Sequence, residues 1–158
     1  MAEEKTNVMR LLDQKKIPYT PHQYDISDGA LDAVTAARRL GVPPETCFKT
    51  LVTAGASRKN YVFVVPGEKE LDLKAAAKAV GEKSIEMIRQ AQLLPLTGYV
   101  HGGCSPVGMK KRLPTIIDAS AEALPEMTVS AGRVGRQVTL SPGDLAAVTG
   151  ASFAPVSK

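Results

Sequence analysis

Two apolar runs in the chain, 47–54 and 61–65, are joined by only six residues, Gly55-Ala-Ser-Arg-Lys-Asn60. The runs have strand length and the connection is rich in turn-forming residues, so together they read as a β-hairpin. Further short strands are expected at 85–87, 98–101, 115–118, 128–130 and 137–140, separated by Gly- and Pro-rich connections. Helices belong mainly to the flanks. Strands and helices do not alternate as β-α-β units, which places the chain in the α+β class with a mixed, largely antiparallel sheet.

The helix signals are local. Val8, Leu11 and Leu12 share one face of a first helix, with Thr6 as its N-cap and Pro18 as its limit. Residues 19–26 read as extended. A second helix is expected over 31–40, stopped by Gly41. Asp72 is placed to cap a helix that ends before Gly81, and a short helix is expected at 89–93. Ser141-Pro-Gly-Asp144 has the spacing of a capping box, with Pro142 at the first helical position and Gly150 at the end.

The 158 residues suffice for one domain, 1–158, with a sizeable core. Apolar residues make up 44% and charged residues 23%, the balance of an ordinary globular protein. No apolar run approaches the ~20 residues that span a bilayer, and the polar start lacks a signal-peptide core. No membrane association is expected, and two cysteines, Cys47 and Cys104, fit a reducing cytoplasm better than a disulfide scaffold. The net charge of +4 hints at a polyanionic partner. Aromatic residues are only 4%, which argues against a broad base-stacking surface.

The chemistry-bearing candidates are few. Residues 98–112 contain the pair Gly102-Gly103, followed by Lys110, Lys111 and Arg112. Such a loop can aim backbone N–H groups at a carbonyl oxygen or a phosphate. Spacing alone favours a tight turn with a solvated basic edge, because glycine pairs are common in turns. Lys49 lies within a predicted strand and must face solvent or a cleft, because a buried unpaired ammonium is costly. Neither Cys47 nor Cys104 has a base assured by spacing, although His101 stands three residues before Cys104. His22 and His101 are the only histidines and form no metal-ligand pattern, so neither a metal nor another cofactor is expected. The residues alone lead to an α+β domain with a glycine-rich, basic loop.

Four stretches carry a resemblance to a known family. They are His22-Gln-Tyr24, Phe48-Lys-Thr-Leu51, Leu71-Asp-Leu-Lys74, and residues 97–118, which hold Gly102-Gly-Cys-Ser-Pro-Val-Gly-Met-Lys-Lys-Arg-Leu-Pro-Thr-Ile-Ile-Asp118. In these the chain resembles the YbaK/EbsC proteins, relatives of the editing domain of bacterial prolyl-tRNA synthetases. The resemblance implies a barrel-like sheet flanked by helices. It also implies a metal-free deacylase that acts in trans on Cys-tRNA(Pro), with Cys-tRNA(Cys) as a second substrate. Its partners would be the aminoacyl-tRNA 3′ end and a prolyl-tRNA synthetase.

Family roles carry over to Lys49, holding the 3′ end, and to Gly102 with Gly103, near the scissile carbonyl. Tyr24 becomes a pocket residue and Ser130 lies at the pocket edge, with Thr50 and Ser105 also binding substrate. Lys110, Lys111, Arg112, Arg133 and Arg136 are expected to form a basic rim toward tRNA. The chain departs from the family pattern at His101 and Cys104, which replace aliphatic residues, and at Ala131, which replaces a glycine and would narrow the pocket. The segment 27–32 is one residue shorter, leaving Leu31 in place of an aromatic pocket residue. Within the family the substrate's own thiol is the nucleophile. Two other readings stay open: an alanine-specific deacylase that uses an ordered water, and a non-catalytic module that binds a synthetase or tRNA.

Overall fold

The computed structural model describes residues 5–24 and 33–158. The hairpin is present as β2 (Phe48–Gly55) and β3 (Asn60–Pro66), paired antiparallel from Phe48↔Pro66 to Ala54↔Asn60. Its turn closes through the Arg58 N–H donating to Gly55 O, with Arg58 at φ 73°. Strand β3 is buried on both faces. Val62 and Val64 point into one apolar cluster, and Tyr61, Phe63 and Val65 into another. Each fully buried side chain of this kind contributes about 1.5–3 kcal/mol.

Strand β4 (Ile85–Met87) pairs antiparallel with β2, while β5 (Thr115–Asp118) runs parallel to β3 and β8 (Ser152–Ala154) parallel to β5. The resulting mixed sheet has the order β4-β2-β3-β5-β8. A second, antiparallel sheet has the order β1-β7-β6, from β1 (Thr20–Gln23), β6 (Met127–Ser130) and β7 (Arg136–Leu140). Among the described residues a single parallel bridge, Cys47↔Thr128, joins the two sheets. The sheets therefore curve around a shared core as a barrel does, without closing into one.

That core is filled by α1 (Asn7–Gln14), which contributes Val8, Met9 and Leu12. Helix α3 (Leu73–Val80) covers the opposite face of the larger sheet with Ala76 and Ala77. The remaining helices are α2 (Ala33–Leu40), α4 (Gln90–Thr97) and α5 (Pro142–Thr149). Three caps form as the sequence predicts. Thr6 Oγ1 accepts from Met9 N–H at 3.3 Å, Asp72 Oδ1 from Ala75 N–H at 3.1 Å, and Ser141 Oγ from Asp144 N–H at 3.1 Å. Of the expected extended run and second helix, residues 25–26 and 31–32 lie outside the described residues.

Two expectations fail between residues 89 and 101. The helix does not end at 93 but continues to Thr97. Pro95 is tolerated because Pro95 and Ala91, whose carbonyl loses its donor, are both exposed. Residues 98–101 form no strand. Gly98 adopts φ 84° and donates to Leu94 O, which ends the helix. The Thr97 hydroxyl then takes the Tyr99 N–H at 3.1 Å, and Val100 O accepts from Gly103 N–H at 3.0 Å to close a turn. These local bonds use groups that a strand ladder would need. The elements that went unread are short: β8 and 3-10 turns at Pro44–Thr46 and Ala119–Ala123.

Candidate active site

The edge of β2 that faces away from β3 is attached at both ends. Cys47 bridges to Thr128 at one end, and Thr53 to Gly55 pair with β4 at the other. Among the described residues no strand pairs with that edge at residues 48–51, and a cavity of ≈ 470 Å³ opens there. This is the size of a small-ligand site. The other walls are Arg89, Gln90 and Leu93 around the start of α4, the loop residues His101, Gly102 and Cys104, and Gln137 of β7. Among the described residues no Asp or Glu lines it, whereas Lys49 and Arg89 do, which favours an anionic or neutral occupant over a cation.

Of the residues singled out from the sequence, Lys49, Thr50 and Gly102 come together on this cavity. Lys49 is half-buried, and no hydrogen bond or ion pair holds its ammonium among the described residues. Gly102 sits at φ 87° within the turn closed by Val100 and Gly103, a position where a type II turn requires positive φ. Gly103 faces elsewhere. A Cβ there would lie 3.0 Å from Val134 N and 3.2 Å from the Arg133 carbonyl carbon, so its glycine permits close approach of the 133–134 loop. The loop as a whole is tethered by the buried Tyr99, whose hydroxyl donates to Val107 O at 2.5 Å.

Tyr24, Ser105 and Ser130 are buried but are not among the lining residues. Ser105 Oγ accepts from Val107 N–H and Ser130 Oγ from Gly132 N–H, both at 3.2 Å, so each stabilises a turn. Ala131 is turned into the apolar core with Val129, away from the Ser130 side of the strand. Its methyl group therefore does not narrow the cavity. Leu31 lies outside the described residues.

The smaller sheet has one apolar face, with Val129, Val138 and Leu140, and one polar face, with Thr128, Gln137 and Thr139. On the polar face His22 Nε2 lies 2.8 Å from Thr139 Oγ1, which in turn lies 2.6 Å from Thr128 Oγ1. Burial lowers the His22 pKa, with Glu126 opposing weakly. Among the described residues three buried side-chain oxygens have no hydrogen-bond partner: Tyr24 Oη, Thr50 Oγ1 and Gln137 Oε1. Burial also raises the Tyr24 pKa, with the nearby Gln137 side chain opposing. Sequence reasoning missed Gln137, although the alternation of Gln137 and Thr139 in a predicted strand was a usable signal.

Both thiols are buried, and burial pushes Cys47 up to about 11 and Cys104 up to about 12. Cys104 lines the cavity but is a protonated thiol at neutral pH, with little nucleophilic character. Among the described residues no group of three His, Cys, Asp or Glu side chains is arranged to hold a metal.

The five basic residues do not line this cavity. Lys111 and Arg112 flank a second one, of ≈ 210 Å³, together with Lys15 from the end of α1. Lys110 and Arg133 are exposed. Arg136 is half-buried, its Nη2 3.9 Å from Met9 Sδ.

Comparison with known proteins gives this geometry a context. Residues 28–148 match the aminoacyl-tRNA editing domain family. Over 156 residues the chain is 42% identical to EbsC of Enterococcus faecalis, a candidate Cys-tRNA(Pro)/Cys-tRNA(Cys) deacylase, covering 99% of this chain and 95% of that protein. It is 25% identical over 103 residues to a proline–tRNA ligase of Trichlorobacter lovleyi, covering 65% of this chain and 18% of the ligase. The crystal structure of a candidate trans-editing enzyme for prolyl-tRNA synthetase superposes with a TM-score of 0.82 at 25% identity, covering 98% of this chain and 99% of the other. No described helix is long and apolar enough to cross a membrane. The cavity with Lys49 and the glycine turn thus sits in a chain that belongs to the aminoacyl-tRNA editing domain family.

Proposed function

We propose that this protein is a single-domain, cytoplasmic trans-editing deacylase that hydrolyses the ester between cysteine and tRNA(Pro), and also acts on Cys-tRNA(Cys). The observation that carries this reading is the near-full-length identity to EbsC. The geometry supports it, because the cavity combines an unpaired lysine with a positive-φ glycine turn and offers no activated nucleophile among the described residues.

The substrate supplies what the wall lacks. A pocket separates side chains that differ by one small group by only ~1–3 kcal/mol, too little to spare prolyl, alanyl and seryl esters. Attack by the side-chain thiol of the charged cysteine adds a chemical filter, since its pKa of ~8.5 makes the thiolate accessible where a serine hydroxyl stays protonated. The sulfur bonds to the ester carbonyl carbon and the C–O bond to the ribose breaks. The ribose oxygen leaves as a hydroxyl, and water then opens the four-membered thiolactone to free cysteine. Proximity can offset ~7–11 kcal/mol of the barrier when the geometry is good, and ring strain takes back part of it. Backbone N–H groups of the Gly102 turn are the donors available to the oxyanion. Lys49 holds the terminal nucleotide. Purified protein is expected to cleave Cys-tRNA(Pro) and to leave Ala-, Ser- and Pro-tRNA(Pro) largely intact; inertness toward the whole panel would contradict the reading.

The tRNA body is expected to lie over the basic residues. Lys110, Lys111 and Arg112, joined by Lys15 at the second cavity, form one group, and Arg133 and Arg136 follow Ser130. Changing Lys110, Lys111 and Arg112 together to glutamate is expected to reduce the log–log salt slope of tRNA binding by about one for each phosphate that is no longer neutralised. A slope and affinity equal to those of the unmodified protein would remove these residues from the interface. Partnership with a prolyl-tRNA synthetase belongs to the same proposal, supported by the likeness to the trans-editing structure.

A further inference from the structure

Gln137 is 6% exposed, lies in the middle strand of the smaller sheet and lines the cavity, yet among the described residues its Oε1 meets no hydrogen-bond donor, and the neighbouring Tyr24 hydroxyl, itself unpartnered, does not reach it. Thr50, also a wall residue, has a buried and equally unpartnered hydroxyl. An unsatisfied buried polar group costs about 1–3 kcal/mol, so two on one cavity mark a place prepared for a ligand. Both belong to strands whose registers are fixed, Gln137 opposite Ser130 and Thr50 opposite Val64. Neither strand can slip to satisfy them without turning its buried face outward.

We propose that Gln137 Oε1, assisted by Thr50 Oγ1 from the β2 wall of the same cavity, receives the α-amino group of the aminoacyl ester. This rests on the deacylase reading above. An amide oxygen only accepts, so the occupant must donate. On the acyl side of the scissile carbonyl, the one donor that every aminoacyl ester carries is its α-amino group. Among the described residues the cavity has two basic residues and no carboxylate on its walls, which favours the neutral amine over the ammonium; the neutral amine still donates. A neutral acceptor such as Gln137 suits that form. The contact also orients the ester: with the α-nitrogen held on β7, the carbonyl is free to face the Gly102 turn on another wall. Gln137 is thus a positioning residue that recognises the aminoacyl group as such, whatever its side chain.

The test uses two esters of tRNA(Pro), cysteinyl and 3-mercaptopropionyl. The second keeps the thiol and lacks only the α-amino group. The amino group also activates the ester intrinsically, but that effect is common to all enzyme variants and cancels when their preferences are compared. The unmodified protein is expected to prefer the cysteinyl ester in kcat/KM, and Gln137→Leu is expected to shrink that preference by about 10- to 100-fold. Thr50→Val is expected to shrink it in the same direction. Gln137→Glu keeps an acceptor and is expected to restore most of it. A loss of fold or general activity would lower both rates together and leave the preference unchanged, so the ratio separates recognition from stability. If the unmodified protein cleaves the cysteinyl ester and Gln137→Leu and Thr50→Val both keep its full preference, the assignment is wrong while the deacylase reading stands. If the unmodified protein cleaves neither ester, the deacylase reading falls and the assignment with it.

Discussion

Lys49→Ala is expected to lower Cys-tRNA(Pro) deacylation by about 100-fold or more, the scale of loss when a substrate is misplaced by about an ångström. The ammonium lies on the cavity wall without a partner, so removing it abolishes no internal bond of the described protein. Phe48 and Val52, on the same strand, hold β2 in the core whether or not Lys49 is present. Stability should therefore change by no more than ~0.5 kcal/mol, which thermal unfolding would check. Lys49→Arg keeps the charge but replaces a point donor with a planar fork, and is expected to recover part of the rate. Full turnover by the alanine variant would remove Lys49 from the site.

The second large effect concerns the sulfur that reacts. Cys47→Ala combined with Cys104→Ser is expected to keep most of the rate, while S-methylation of the charged cysteine is expected to abolish it. Burial holds both protein thiols protonated, at about 11 and about 12, so neither forms a thiolate near neutral pH. The pH dependence carries the sign of the argument. A substrate thiol of pKa ~8.5 makes kcat rise as pH rises toward that value, because the thiolate fraction grows. Serine-charged tRNA, similar in size, is the control for exclusion of the methyl group: it should bind comparably and react far more slowly. A folded double-cysteine variant without activity would assign the chemistry to the protein.

What the sequence made legible was whatever is specified locally. The hairpin was readable because the turn-forming run from Gly55 to Asn60 separates two strand-length apolar runs, and Thr6, Asp72 and Ser141 announced their helices through side chains that reach only three residues ahead. Residues 98–101 misled because Tyr-Val has strand propensity, while the Thr97 hydroxyl, the left-handed Gly98 and the Val100–Gly103 turn decide the backbone there. The cavity itself is a gap along the edge of β2, bounded by β4, the glycine turn and β7, and no sequence pattern spans those distant pieces. The order of residues along the chain also suggested that Lys111 and Arg112 border the same opening as Gly102. In space they stand with Lys15 at a different cavity, which Pro106 and Val107 of the same loop also line. Lys49 and Gly102 were identified by family resemblance, and Gln137 emerged only when its unpartnered oxygen was found on the wall.

The central claim is most directly tested by the time course of ester cleavage when purified protein meets tRNA(Pro) charged in parallel with cysteine, alanine, serine or proline. The account predicts rapid release of cysteine, with the other three esters decaying close to their uncatalysed rates. Release of alanine at a rate equal to or above that of cysteine, or no acceleration of any ester, would contradict it.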